Sequence, residues 1–212
     1  MTATWRRPAE MVAALANVRM SGVFNPYADH CPDHDLPGAP AIRRRNLLRV
    51  LEAAIGSGVD TLWVGQDLGR KGGRRTGLPL TDEPHLARLS RYWEGVEFER
   101  ATVGPEMTEE TARIVWRALE AEPGRVFFWN AFPLQPHRAD DPRLNRGHRP
   151  DERRQAAAFL PWILAALQPH KIVALGRVAE TALAECGVTA QYVRHPGRGG
   201  GPEFLAGIAR LR

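Results

Sequence analysis

Long hydrophobic segments are absent from this sequence of 212 residues. The longest stretch without a polar residue runs from Ala156 to Leu167 and is interrupted by Pro161. A membrane-spanning helix needs roughly 18 or more apolar residues. The residues after Met1 also lack the hydrophobic stretch of a secretory signal. We therefore expect a cytoplasmic protein with no membrane partner.

Cysteine is also scarce. The two cysteines, Cys31 and Cys186, lie far apart and lack the paired spacing of zinc or iron–sulfur sites, so we expect reduced thiols. Cys31 and His34 have the spacing of two metal ligands, but nothing nearby completes a site. The sequence therefore predicts neither a bound metal nor another cofactor.

Lysine is nearly missing, although the chain is basic. Lys71 and Lys171 are the only lysines among 29 basic residues, which face 24 acidic residues and give a net charge of +5. Arginine suits bidentate contacts with phosphate. The charge is compatible with a nucleic-acid partner without proving one.

The remaining composition, 43% hydrophobic and 25% charged, fits one globular domain over residues 1–212, which we expect to be monomeric. Short apolar runs predict strands at Thr61–Val64, Val126–Trp129, Lys171–Leu175 and Gln191–Val193. Helical patterns cover Pro8–Arg19, Ala41–Ile55, Glu83–Tyr92, Thr108–Glu120, Asp151–Leu167 (divided or kinked at Pro161), Arg177–Cys186 and Pro202–Arg210. This alternation predicts an α/β fold, a three-layer α/β/α sandwich with a central, mainly parallel four-stranded sheet.

Some individual side chains can also be assigned to the core or the surface. In the helix over Ala41–Ile55, the run Arg43 to Arg45 lies opposite the apolar stripe, which predicts a solvated face. Trp116 and Trp162 lie on helix faces that we expect to be buried. The isolated histidines His137, His148 and His170 are expected on the surface or in loops.

Polar residues follow the apolar runs where a parallel sheet binds its ligands. Gly65-Gln66-Asp67 follow the first run, Asn130 ends the second, and Arg194-His195-Pro196 follow the fourth. A carboxylate, a carboxamide and an imidazole in one crevice can read a polar base and polarise a water, which is chemistry for cleaving an N-glycosidic bond. Taken singly, Asp67 also fits a helix cap, Asn130 an Asx turn and His195 a loop residue.

The order of these segments resembles the uracil-DNA glycosylase superfamily. Gly65–Thr81 resembles its first motif without a gap; the Gly-Gln-Asp start is similar to the best-known branch, and Arg74–Pro79 to less-studied bacterial branches. Phe128–Pro133 is similar to the strand whose asparagine reads uracil. Arg194–Gly197 is similar to the second catalytic motif, His-Pro followed by small residues. The resemblance covers roughly Thr61 to Gly201.

The resemblance implies a monofunctional enzyme that hydrolyses the N-glycosidic bond of uracil in single- or double-stranded DNA and leaves an abasic site. The base must first be flipped into a pocket, where Gly65 belongs to the base-binding motif. Asp67 would orient the attacking water, and His195 would donate a hydrogen bond to uracil O2 as negative charge develops. The backbone N–H of Gln66 would reach the same oxygen, while Asn130 would read O4 and N3–H.

Two positions depart from the family pattern. Gly69 stands where a tyrosine usually excludes the methyl group of thymine, so discrimination against thymine is open. Leu80 stands where an aromatic ring usually stacks on uracil. Phe132 or Trp129 is expected to stack instead, although both also fit the core.

Basic residues around the predicted pocket are expected to contact DNA phosphates. They are Arg70, Lys71, Arg74, Arg75, Arg194 and Arg198. Arg198 lies in the glycine-rich loop that, in the family, enters the DNA stack or minor groove; the alternative is a solvated loop. Two other functions stay open: a glycosylase for hypoxanthine, xanthine or a modified pyrimidine, and a noncatalytic DNA-binding module.

Overall fold

A parallel sheet organises the computed structural model, which describes residues 5–212. The strands of the protein are β1 (Val23–Phe24), β2 (Thr61–Asp67), β3 (Val126–Phe132), β4 (Gln135–Pro136), β5 (Lys171–Leu175) and β6 (Gln191–Val193). The helices of the protein are α1 (Pro8–Ala16), α2 (Ala39–Ser57), α3 (Gly73–Thr76), α4 (Leu86–Tyr92, after a 3-10 turn at Glu83–His85), α5 (Glu110–Leu119), α6 (Pro150–Gln155), α7 (Phe159–Leu167), α8 (Arg177–Glu185) and α9 (Gly201–Arg210). None of the helices within residues 5–212 combines the length and hydropathy that crossing a bilayer requires.

The central sheet has the order β3-β2-β5-β6, and all its neighbouring strands are parallel. Every residue of β3 is buried, as are the first five of β2. Such continuous apolar strands are typical of a parallel sheet covered by helices on its faces. The predicted α/β fold with a central four-stranded parallel sheet is confirmed.

The strand order creates a crevice at one end of the sheet. The chain passes from β2 to β3 on one side, and from β5 to β6 on the other. At such a switch point, ligands bind outside the carboxyl ends of the strands. The ends of β2 and β5 therefore mark the expected binding region.

Several element boundaries differ from those predicted. Strand β2 continues beyond Val64 to Asp67, and β3 continues beyond Trp129 to Phe132, because the two strands stay paired to the register of Asp67 with Phe132. The long helix divides before Phe159 rather than at Pro161, since a proline in the first turn of α7 removes no intrahelical hydrogen bond. The antiparallel pair β1–β4 was not predicted. Its two-residue strands carry no periodic pattern.

The core contains Trp116 and Trp162, as predicted. It also contains Arg43, which contradicts the prediction of a solvated arginine run. The side chains of Arg43 and Asp35 are both 0% exposed and form an ion pair, with Nη1 of Arg43 2.9 Å from Oδ2 of Asp35. Nε of Arg43 also donates to the carbonyl oxygen of Arg75 at 3.0 Å. A buried arginine is tolerated here because its charge and its donors are satisfied.

We predict that Arg43→Met lowers the free energy of unfolding by about 3–5 kcal/mol, because the Asp35 carboxylate stays buried without its partner. The matched control is Arg45→Met on the exposed face of α2, whose ion pair with Glu99 is half exposed. The control is expected to cost about 0–1 kcal/mol. Urea denaturation measures both, and equal midpoints for the two variants would contradict the assignment.

Candidate active site

A cavity of about 210 Å³ opens at the carboxyl end of β2. It is bordered by the end of β2 with its following loop, the start of α5, the loop before α6 and the loop after β6. The lining residues are Gln66, Asp67, Leu68, Gly69, Leu80, Glu109, Thr111, Asn145, Arg146, Gly147, His195 and Arg198. The structure therefore brings Asp67 and His195 to one cavity, although they are far apart in the sequence.

The Asp67 carboxylate is held by hydrogen bonds at both oxygens. Oδ2 accepts from Nε2 of Gln66 at 3.0 Å and from the backbone N–H of His148 at 3.3 Å. Oδ1 forms a close contact with Nδ1 of His148. These partners fix the orientation of the carboxylate, whose side chain is 11% exposed. Burial raises the pKa of Asp67, and the hydrogen bonds from His148 and Gln66 oppose that rise.

The predicted loop position of His148 is confirmed, but the residue is not isolated. It lies in a loop, but its side chain is only 4% exposed and is packed against Asp67. The Phe132 ring lies beside the imidazole, with 5.2 Å between the ring centroids. The sequence signal was weak, since the segment Asn145–Arg149 offers only a polar loop before a helix.

The loop that carries His148 is anchored by an ion pair. Nη1 and Nη2 of Arg146 lie 2.8 and 2.6 Å from the carboxylate oxygens of Glu152, whose side chain is buried. Nε of Arg146 donates to the carbonyl oxygen of His137 at 2.8 Å. The Glu152 carboxylate also accepts the backbone N–H of Arg149 and thereby caps α6. This network fixes the approach of His148 to Asp67.

The His195 ring has a defined hydrogen-bonding state. The backbone N–H of Gly197 donates to Nδ1 of His195 at 3.0 Å, so Nδ1 is an acceptor. In a neutral imidazole the proton then resides on Nε2, which becomes a donor. Burial lowers the pKa of His195, and the charge of Arg198 lowers it further. The ring is therefore held neutral with Nε2–H free to donate.

The Asn130 carboxamide is buried without a hydrogen-bond partner. Among residues 5–212, neither its Oδ1 nor its Nδ2 has a partner. A Cβ atom added at Gly65 would lie 2.5 Å from Oδ1 of Asn130 and 3.1 Å from Cδ2 of Leu80, which lines the cavity. Gly65 and Asn130 do not themselves line the Asp67 cavity, but the missing side chain at Gly65 leaves room for the carboxamide close to Leu80, which does. Each unsatisfied buried group costs about 1–3 kcal/mol, which is typical of a site that awaits a ligand.

The predicted stacking residues are placed differently. Phe132 and Trp129 are fully buried and do not line the cavity, because Phe132 packs on His148 and Trp129 stacks on Phe127. In this structure neither ring is placed to stack on a base in the Asp67 cavity. Leu80 does line the cavity, and its φ of 53° lies in the left-handed region that non-glycine residues rarely adopt.

Arg74 and Arg75 require another correction. Nη1 of Arg74 donates to Oε1 of Gln135 at 3.0 Å, and its guanidinium lies 3.9 Å from the Phe24 ring centroid. Nε of Arg75 lies 2.9 Å from Oε2 of the buried Glu83. Both arginines are buried and bound to protein groups, although Nε of Arg74 has no hydrogen-bond partner within residues 5–212. Their burial leaves them poorly placed for the predicted phosphate contacts.

The other predicted DNA-contacting residues remain accessible. Lys71, Arg194 and Arg198 are exposed, and Arg70 is partly exposed. Arg70 and Lys71 line a second cavity of about 400 Å³ together with Arg143 and with the buried Arg74 and Arg75. Arg198 also lines the Asp67 cavity, so one of these exposed cations lies at the candidate site.

Comparison with known proteins identifies the family. The model of the family described as "Uracil DNA glycosylase superfamily" matches residues 55–205. The fold is similar to the crystal structure of wild-type SMUG2 from Pedobacter heparinus, with a TM-score of 0.53, 14% sequence identity and coverage of 98% of this chain and 99% of that chain. A search of the curated proteins found no match. Because the family model covers most of the chain, the predicted membership is confirmed, and the chain belongs to the uracil DNA glycosylase superfamily.

Proposed function

We propose that this protein is a monofunctional DNA glycosylase that hydrolyses the N-glycosidic bond of uracil in DNA and leaves an abasic site. It would represent a bacterial branch with a Gly-Gln-Asp first motif and a His-Pro-Gly second motif. The observation that carries the proposal is the arrangement of Asp67 and His195 around one cavity. A carboxylate and a neutral hydrogen-bond donor on one cavity match the two charges that develop when a glycosidic bond breaks.

Asp67 acts on the sugar side of the reaction. Its carboxylate accepts a hydrogen bond from the attacking water, and its negative charge stabilises the oxocarbenium character of the sugar. The water oxygen bonds to C1′ as the bond from C1′ to the base breaks, with the electron pair leaving on the base. The water proton passes to Asp67. His148 is a positioning residue that holds the carboxylate in one orientation.

His195 acts on the base side. Its Nε2–H donates to a carbonyl oxygen of the departing base, on which negative charge accumulates. A neutral imidazole serves as this donor at neutral pH, because burial and Arg198 lower the pKa of His195. The Gly197 N–H keeps the donor proton on Nε2.

Asn130 supplies base recognition. Its carboxamide can donate to O4 of uracil and accept from N3–H, whereas cytosine presents an amine and a bare acceptor at those positions. The base would give the buried carboxamide the hydrogen bonds that it lacks within residues 5–212. Entry of the base would then be coupled to satisfaction of a buried polar group.

A different base is the second candidate. No phenylalanine, tyrosine or tryptophan lines the Asp67 cavity within residues 5–212, and Gly69 and Leu80 occupy the positions where the family has aromatic rings. A site without these rings favours wider substrate choice, including hypoxanthine, xanthine or a modified pyrimidine. The noncatalytic alternative, a DNA-binding module, predicts binding without release of any base.

We predict that Asp67→Asn lowers the rate of uracil release by about 10²–10⁴-fold while DNA affinity is retained, because the carboxamide cannot accept the water proton. Single- and double-stranded oligonucleotides that carry uracil, a thymine mismatch, hypoxanthine or xanthine would be incubated with both proteins and cleaved with alkali. Unchanged activity of the variant would refute the role of Asp67. Release of a purine without uracil would overturn the substrate, and no release of any base would favour the binding module.

The role of His148 can be tested through the pH profile. Asp67 must be ionised, so activity should rise with pH through the pKa of Asp67 and be lost below it. His148→Leu removes a hydrogen bond that lowers this pKa, and should therefore shift the acid limb of kcat/KM to higher pH. His170→Leu, at a strongly exposed side chain, is the matched control. An acid limb at the same pH in all three proteins would show that His148 has only a structural role.

DNA contacts are expected at the accessible cations. The double variant Arg70→Ala/Lys71→Ala should weaken binding to all DNA sequences and reduce the slope of log K against log salt by about 1 for each lost phosphate contact. Arg117→Ala is a control for the loss of one exposed cation, because Arg117 is exposed in the last turn of α5, away from the end that borders the cavity. A salt slope that does not change in the double variant would remove this loop from the DNA footprint.

A further inference from the structure

Glu109 supplies a second carboxyl group to the Asp67 cavity. The residue immediately precedes α5, where an acidic side chain commonly caps the helix, but it forms no side-chain cap. Its side chain instead lines the cavity together with Asp67 and His195. No step of the proposed mechanism uses this carboxyl group.

The position of Glu109 is fixed by the loop after β2. A Cβ atom added at Gly69 would lie 1.8 Å from Oε1 of Glu109, and one added at Gly72 would lie 2.2 Å from Oε2. The carboxyl group therefore occupies the space that side chains at these positions would take. The backbone N–H of Glu109 donates to Oδ2 of the buried Asp82 at 2.7 Å, which anchors the residue from the other side.

The charges around Glu109 favour its neutral form. Burial and the negative charge of Asp82 raise the pKa of Glu109 to about 7, and the positive charge of Lys71 opposes them. Asp67, His195 and Arg198 also line the cavity, His85 pairs with Asp82, and Glu110 on the following helix pairs with exposed Arg113. Among residues 5–212, no donor binds the Glu109 carboxyl oxygens, so burial is not offset by hydrogen bonding.

A protonated carboxylic acid and a carboxylate would have opposite effects on a bound base. The acid has an O–H that can donate to a carbonyl oxygen, whereas the carboxylate can only accept. A carboxylate would also repel the negative charge that develops on the departing base. Cleavage should therefore depend on the acid form.

We propose that Glu109 is a specificity-determining residue: its protonated carboxyl group donates a hydrogen bond to an oxo group of the everted base and limits the size of the base that fits over Gly69. This inference rests on the proposed glycosylase function. The space above Gly69 is then filled by the side chain of Glu109, which comes from the segment just before α5. The substrate class is a base that presents an oxo group there, as deaminated bases do.

The first test is the pH dependence of kcat/KM for uracil release. In the wild-type protein, activity should fall by about tenfold per pH unit above about pH 7, because the neutral acid is lost. Glu109→Gln retains an N–H donor but does not titrate, so this alkaline fall should disappear in the variant. Glu110→Gln is the matched control on the adjacent exposed residue and should keep the wild-type profile.

The second test is the substrate panel. Glu109→Ala empties the space over Gly69 and should raise the release of thymine and hypoxanthine relative to uracil by about tenfold, the scale of a small steric change in a pocket. Glu110→Ala should leave this ratio unchanged. Circular dichroism establishes that each variant is folded; Glu109→Gln decides the hydrogen-bonding role, and Glu109→Ala decides the size limit.

The outcomes separate this inference from the proposed function. An alkaline fall that persists in Glu109→Gln, or is missing from the wild-type protein, contradicts the hydrogen-bonding role. A substrate ratio that is unchanged in Glu109→Ala contradicts the size limit. In both cases uracil release by the wild-type protein would still support the glycosylase. Failure of the wild-type protein to release any base at any pH would instead refute the proposed function.

Discussion

The candidate site depends on one buried carboxylate at the end of a parallel strand. Asp67 closes β2, and its oxygens are held by Gln66 and by the side chain and backbone of His148. The sheet topology supplies the place, because the chain leaves β2 and β5 in opposite directions and opens a crevice between them. The ion pair of Arg146 with Glu152 then fixes the loop that carries His148. The buried Asp67 carboxylate keeps one orientation only because its hydrogen-bond partners and the Arg146–Glu152 ion pair are all present.

The cavity collects features that would be unfavourable in an ordinary core. Asn130 has unsatisfied amide atoms, Leu80 adopts a left-handed backbone conformation, and burial raises the pKa of both Asp67 and Glu109. Each feature costs folding free energy, which the tightly packed sheet and helices must offset. Asp67, Leu80 and Glu109 line one cavity, and Asn130 lies beside Gly65, close to Leu80. This concentration is typical of a site built for a ligand rather than for stability. In the proposed reaction, the base and the water complete the missing interactions.

The sequence predicted the sheet and its polar strand ends well, because apolar runs and the residues after them are local patterns. Asp67 and His195 reach one cavity for that reason. The sequence analysis failed where a residue depends on a partner outside its own element. Arg75 is buried because Glu83, eight residues further on, is placed beside it, and His148 contacts Asp67 from 81 residues away. Glu109 was also missed, since nothing local shows that its side chain leaves its own helix for the space above Gly69. Charge and spacing alone do not distinguish a buried cation from a DNA-binding one.

The most direct measurement is a crystal structure of the protein bound to DNA that contains a non-hydrolysable deoxyuridine analogue. We predict that the base is everted into the Asp67 cavity, that the Asn130 carboxamide pairs with its O4 and N3–H, and that Nε2 of His195 faces a carbonyl oxygen. A water bound to Asp67 should lie on the side of C1′ opposite the base. A base that stays stacked in the DNA, or that binds with Asp67 and Asn130 both remote from it, would refute the proposed function.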